Sequence, residues 1–98
     1  MYTQTLSLSG EIDAYMLKSG IPNGRWYVGI TADVQERLFG YHQVSQDGFW
    51  VHGRCLSAAE ARALEAAYHK AGCKGAGGGG DGDSVYIYAY VITQTTVE

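Results

Sequence analysis

Tyr15, Tyr27, Arg37 and Glu65 are residue types that can act together on a phosphodiester bond. A lone carboxylate such as Glu65 suits a hydrated Mg²⁺ ion, or Mn²⁺ in its place. Mg²⁺ keeps several waters and takes its remaining ligands from substrate phosphate. Arg37 offers forked donors to the phosphate oxygens. A tyrosine beside a cation gives up or relays its proton more readily than free phenol, whose pKa is about 10. It can then act as general base toward a water while the metal stabilises the leaving oxygen.

Such chemistry needs elements that bring these side chains together. Tyr2 to Leu8 alternates apolar and polar residues, the period of a half-buried strand, and Ile12 to Lys18 reads as a second strand. Ser19 to Gly24 carries turn chemistry, with Asn23-Gly24 suited to positive φ, and Arg25 to Ile30 is a third strand. Residues 12–30 therefore predict a hairpin with Tyr15 and Tyr27 on paired strands. Thr31 is placed to cap a helix from Ala32, with Asp33 in its first turn. Val34, Leu38 and Tyr41 share one face of it, and Arg37 lies at that face's edge. Phe49 to Leu56 is a further strand. Ser57 and Glu60 form a capping box that opens an Ala-rich helix ending near Gly72. Its inward face is Ala61, Leu64, Tyr68 and Ala71, with Glu65 at the edge. Ser84 to Thr93 is a β-branched and aromatic strand. The order β-β-β-α-β-α-β predicts an α+β fold: a small, mostly antiparallel sheet flanked by helices.

The 98 residues fit one domain over positions 1–98. A content of 46% hydrophobic and 17% charged residues excludes a disordered chain. The net charge of −3 argues against a protein that grips long nucleic acid by charge alone. A small site touching one or two phosphates remains open. No export signal or bilayer-length apolar run is present, so a cytoplasmic location without membrane attachment is expected. Cys55 and Cys73 are expected to stay reduced.

The run Tyr27-Val28-Gly29-Ile30-Thr31-Ala32-Asp33-Val34-Gln35-Glu36-Arg37-Leu38 resembles the second motif and following helix of the GIY-YIG nuclease domains. In that family a Gly-Ile-Tyr strand precedes the Tyr-Ile-Gly strand. An arginine follows on the next helix and a metal-binding glutamate on a later one. Asp13-Ala14-Tyr15 stands where the first motif would be, and Ala58 to Tyr68 resembles the glutamate-bearing helix. The likeness spans about residues 12–72, with extra strands expected at 2–8 and 84–93. It implies Tyr27 or Tyr15 as base or proton relay, Arg37 on the phosphate, Glu65 on Mg²⁺ or Mn²⁺, and His42 as base or phosphate ligand. It further implies nucleic acid, foremost DNA, as partner. The acidic balance calls for a homodimer or partner domain to supply affinity. In place of the family's late asparagine, the chain has only Asn23. With that departure, the alternative is a catalytically weak or inactive GIY-YIG-like binding or assembly module.

Other patterns compete. His52, Cys55, His69 and Cys73 have zinc-like spacing, although His52 and Cys55 on one strand point to opposite faces. Lys74 to Asp83 is glycine-rich and reads as a flexible connection, since no Lys-Ser/Thr and helix follow it. Glu60 is explained by its cap. Tyr86, Tyr88 and Tyr90 share one strand face. They can stack bases, lie beneath a helix or another chain, or belong to an edge that pairs with a second chain.

Overall fold

The computed structural model describes residues 4–75 and 82–98, with side chains from residue 10 onward. The N-terminal stretch is one helix, α1 (Gln4–Ser19), where two strands were expected. Ile12, Tyr15 and Met16 follow the i, i+3, i+4 spacing of a helix face. Ile12 and Met16 are buried, and Tyr15 packs edge-on against Trp26 with ring centroids 6.0 Å apart. That longer-period signal outweighs the local alternation, which polar Thr and Ser residues create without a second strand to pair with. Residues 2 and 3 of the first expected strand lie outside the described residues. Gly20, at φ +74°, ends α1, and the Ser19 hydroxyl donates to the Met16 carbonyl over 2.6 Å. Asn23-Gly24 belongs to a short 3-10 turn over Asn23–Arg25 and turns no hairpin.

The sheet is built from β1 (Trp26–Thr31), β2 (Trp50–Arg54) and β3 (Tyr86–Val91), all pairs antiparallel, in the order β1-β3-β2. The last strand is therefore central, not the edge that its position in the sequence suggested. The molecule is a small α+β fold with this three-stranded sheet between helical layers.

The two sheet faces divide the core by the period-two rule. Trp26, Val28 and Ile30 of β1 join Ile87, Ala89 and Val91 of β3 under α1 and under α2 (Ala58–Lys70), which contributes Ala61, Leu64 and Tyr68. The opposite face carries Tyr27, Tyr88 and Tyr90, packed with Leu38 and Val44. With both faces covered, β1 is a nearly continuous apolar run.

Asp33, rather than Thr31, caps the segment that covers this second face: its carboxylate accepts from the Glu36 amide over 3.2 Å. Thr31 in turn accepts from the Asp33 amide over 3.0 Å. The segment then widens into a π-helix, Glu36–Tyr41, in which the His42 amide reaches the Arg37 carbonyl at 2.9 Å. The wider turn moves the inward position on from Leu38 to His42, leaving Tyr41 46% exposed and His42 fully buried. Gln43, at φ 55°, stops the segment.

α2 has both its ends satisfied. Ser57 accepts from the Glu60 amide over 3.2 Å, and the Glu60 carboxylate accepts from the Leu56 amide over 3.0 Å. At the other end Gly72, at φ +112°, donates to the His69 carbonyl and Cys73 donates to the Tyr68 carbonyl, the two bonds of a Schellman motif. Ala71 is consequently exposed at the cap, outside the buried face expected for it. Replacing Ser57 by Ala is expected to lower stability by about 1 kcal/mol in urea unfolding.

Candidate active site

Tyr88 is the hub of the second face. It pairs with Gly29 across the β1–β3 ladder, and its ring lies over that glycine. A Cβ built at Gly29 would fall 2.5 Å from the Tyr88 hydroxyl oxygen and 2.7 Å from Cζ. Gly29 is thus needed for close approach of a side chain, not for backbone freedom.

The hydroxyl of Tyr88 lies 2.7 Å from His42 Nε2. His42 Nδ1 lies 2.5 Å from the Val97 carbonyl, which can only accept, so Nδ1 carries the proton and Nε2 is the acceptor. Tyr88 therefore donates to His42. The Tyr90 hydroxyl donates to the same Val97 carbonyl over 3.3 Å and lies 2.9 Å from Nδ1. The Val97 amide closes the clasp by donating to the His42 carbonyl over 2.7 Å. Tyr27 stacks on Tyr90 at 5.2 Å and lies 4.8 Å from the His42 ring.

Arg37 sits with its guanidinium 4.4 Å from the centre of the Tyr41 ring and faces the Tyr88 hydroxyl. Glu65 is only 5% exposed. Burial pushes its carboxyl above the ordinary carboxylate range, with His69 and Arg62 pulling the other way. Its charge is felt at Tyr88. Burial is the main cause that raises the Tyr88 pKa; the Arg37 contact opposes it, and the nearby Tyr27 and Glu65 charges add to it. Burial likewise raises Tyr90, with Tyr27 and Tyr88 next in effect. His42 is held below its ordinary value by burial, against the Val97 bond, which favours the cation.

Tyr27, Arg37 and His42 therefore lie about the Tyr88 hydroxyl, Glu65 reaches it only through its charge from α2, and Tyr15 lies on the opposite sheet face against Trp26. The strand beside Tyr27 is β3, so Tyr88 stands where Tyr15 was expected. Strand parity was the signal that could have found it, because Tyr88 alternates with Tyr86 and Tyr90 on one face. Asn23 is remote and structural, donating to the Ala71 carbonyl over 3.1 Å.

Among the described residues, no group of three or more His, Cys, Asp or Glu side chains is arranged around a metal ion. The zinc-like quartet is spent otherwise. Cys55 and Cys73 are buried thiols, His52 stacks on Trp50, and His69 Nε2 lies 2.8 Å from the Val28 carbonyl. A single buried carboxylate does fit an ion that keeps its own waters. No helix of the described residues is long and apolar enough to cross a membrane. In comparisons with known proteins, no family model, curated protein or solved structure matches the chain.

Gly29→Ala would drive a Cβ into Tyr88. It is expected to cost about 1–3 kcal/mol in urea unfolding, as overpacking does. The buried neutral His42 also sets a pH dependence. Its folded pKa lies below its unfolded value near 6.5, so the unfolded chain takes up the proton first. Its contribution to stability is complete above pH 6.5 and is lost as pH falls toward the lower folded value. His42→Gln is expected to flatten that part of a melting-temperature profile measured from pH 7 to 5.

Proposed function

We propose that this chain is a metal-dependent endonuclease module of the GIY-YIG type, hydrolysing phosphodiester bonds of nucleic acid. The observation that supports the reading is the grouping of Tyr27, Arg37 and His42 about the Tyr88 hydroxyl, with the buried carboxyl of Glu65 close enough for its charge to act there. On this reading β3, which pairs with β1, takes the part of the family's first-motif strand. The elements then follow a circularly permuted order, with Tyr88 taking the part first given to Tyr15.

In this reading Arg37 holds the scissile phosphate and favours the Tyr88 phenolate by its charge. The Tyr88 proton passes to His42 Nε2, and the Tyr88 oxygen takes the proton of the attacking water. His42 becomes the imidazolium, stabilised by the Val97 carbonyl on Nδ1. Tyr27, stacked beside them, holds the hydroxyl in a dry, aromatic surround. Glu65 would hold Mg²⁺ or Mn²⁺, which when bound supplies charge stabilisation at the leaving oxygen.

β3 is central, so the pairing of a free aromatic edge with a second chain no longer supports an assembly module. Substituting Glu65 separates chemistry from architecture. A raised folded pKa means that ionised Glu65 opposes folding once pH rises through that value. Glu65→Gln is therefore expected to be more stable than the parent at pH 7, yet to lose Mg²⁺-dependent plasmid nicking by about a hundredfold or more. Undiminished nicking by the folded variant would remove Glu65 from the mechanism.

A further inference from the structure

On the face that carries Tyr88, the outer strand β2 presents a row of side chains that the hydrolytic site does not use. Trp50 pairs with Tyr90, His52 with Tyr88 and Arg54 with Tyr86, so all three lie on that face. The Trp50 indole is fixed by its N–H donating to the Gln46 carbonyl over 3.1 Å and by the edge of Phe39, whose ring centroid is 5.2 Å away. The His52 ring lies parallel to it, 5.9 Å between centroids and 5° between planes. His52 and Arg54 are exposed and Trp50 is half-buried. The row is one strand away from the Tyr88 hydroxyl and continuous with it.

We propose that Trp50, His52 and Arg54 form a track that seats an unpaired nucleic-acid strand and leads it to Tyr88 and Arg37. Parallel flat rings offer a π-face to a base, and an adjacent guanidinium meets the phosphate that follows it. A base inside a duplex has its faces covered by its neighbours, so only an unpaired or splayed strand can use such a platform. The chain's net charge of −3 favours the same occupant. Long-range attraction to phosphates is weak, so affinity must come from contacts whose strength is not charge. The choice of ligand class rests on the hydrolase reading; the contact with bases does not require cleavage.

The test is binding by the full chain in EDTA. It uses fluorescein-labelled oligothymidylate and oligouridylate of about twelve nucleotides, and duplexes of matching length. Trp26 is 0% exposed, so quenching of tryptophan fluorescence reports Trp50. The expected result is quenching with tighter binding of single strands than of duplexes, the tighter of the two strands naming the sugar. His52→Ala, at an exposed position, is expected to weaken binding about tenfold, and Trp50→Ala at least as much. Trp50→Phe, which keeps a ring, should restore part of that loss if Trp50→Ala does not fold. Duplexes bound as tightly as single strands, no quenching, or unchanged binding by His52→Ala would each overturn the track. Single-strand binding without cleavage in Mg²⁺ or Mn²⁺ would sink the hydrolase reading instead, and duplex nicking without single-strand preference would sink only the track.

Discussion

The imidazole of His42 is wholly buried, and the tyrosines of β3 and the Val97 segment are arranged to satisfy it. A buried ring with one donor and one acceptor needs a partner at each nitrogen, or it costs the desolvation of an unpaired group. Val97 provides the acceptor and Tyr88 the donor. Those two partners come from the central strand and from the chain's last residues, so satisfying one ring ties the C-terminal segment across the sheet. The π-helix belongs to the same constraint, because its extra residue per turn is what aims His42 inward. Gly29 completes it by leaving room for the Tyr88 ring.

The polarity of this network carries a chemical consequence. Each proton has one direction to travel: Tyr88 toward His42, and His42 toward a carbonyl that cannot return a proton. A network with that bias can accept a proton at Tyr88 oxygen only by passing another onward to His42. Burial does most to hold the proton on Tyr88, and Arg37 and Glu65 act on the same oxygen with opposite signs.

Much of this was legible in the residues. The β1 strand, the Ser57 cap and the helix carrying Glu65 follow from local signals that tertiary packing reinforces. Arg37, His42 and Glu65 were named from the family resemblance of the Tyr27–Leu38 run and of the later glutamate-bearing helix. What failed was pairing. Alternation over residues 2–18 mimicked strands because short polar side chains between apolar ones look alike at period two and at helical period over a few residues. The Ile12–Tyr15–Met16 spacing held the correct signal. Once α1 is a helix, Tyr15 has no strand from which to reach Tyr27. No local pattern specifies that the strand following Asp83 enters the middle of the sheet, and that is why Tyr88 was read as a residue of a covered sheet face and not as the hydroxyl beside His42 and Arg37.

The insertion of β3 between β1 and β2 also sets how the chain must fold. Neither outer strand pairs with the other, so no sheet hydrogen bond between strands can form until the last strand arrives. Contacts within α1 and α2 are local, whereas every strand pair closes a loop that ends in β3, the kind of topology that folds slowly. During synthesis the edges of β1 and β2 that pair with β3 remain open until residues 86–91 have emerged, so closing the sheet is a late event.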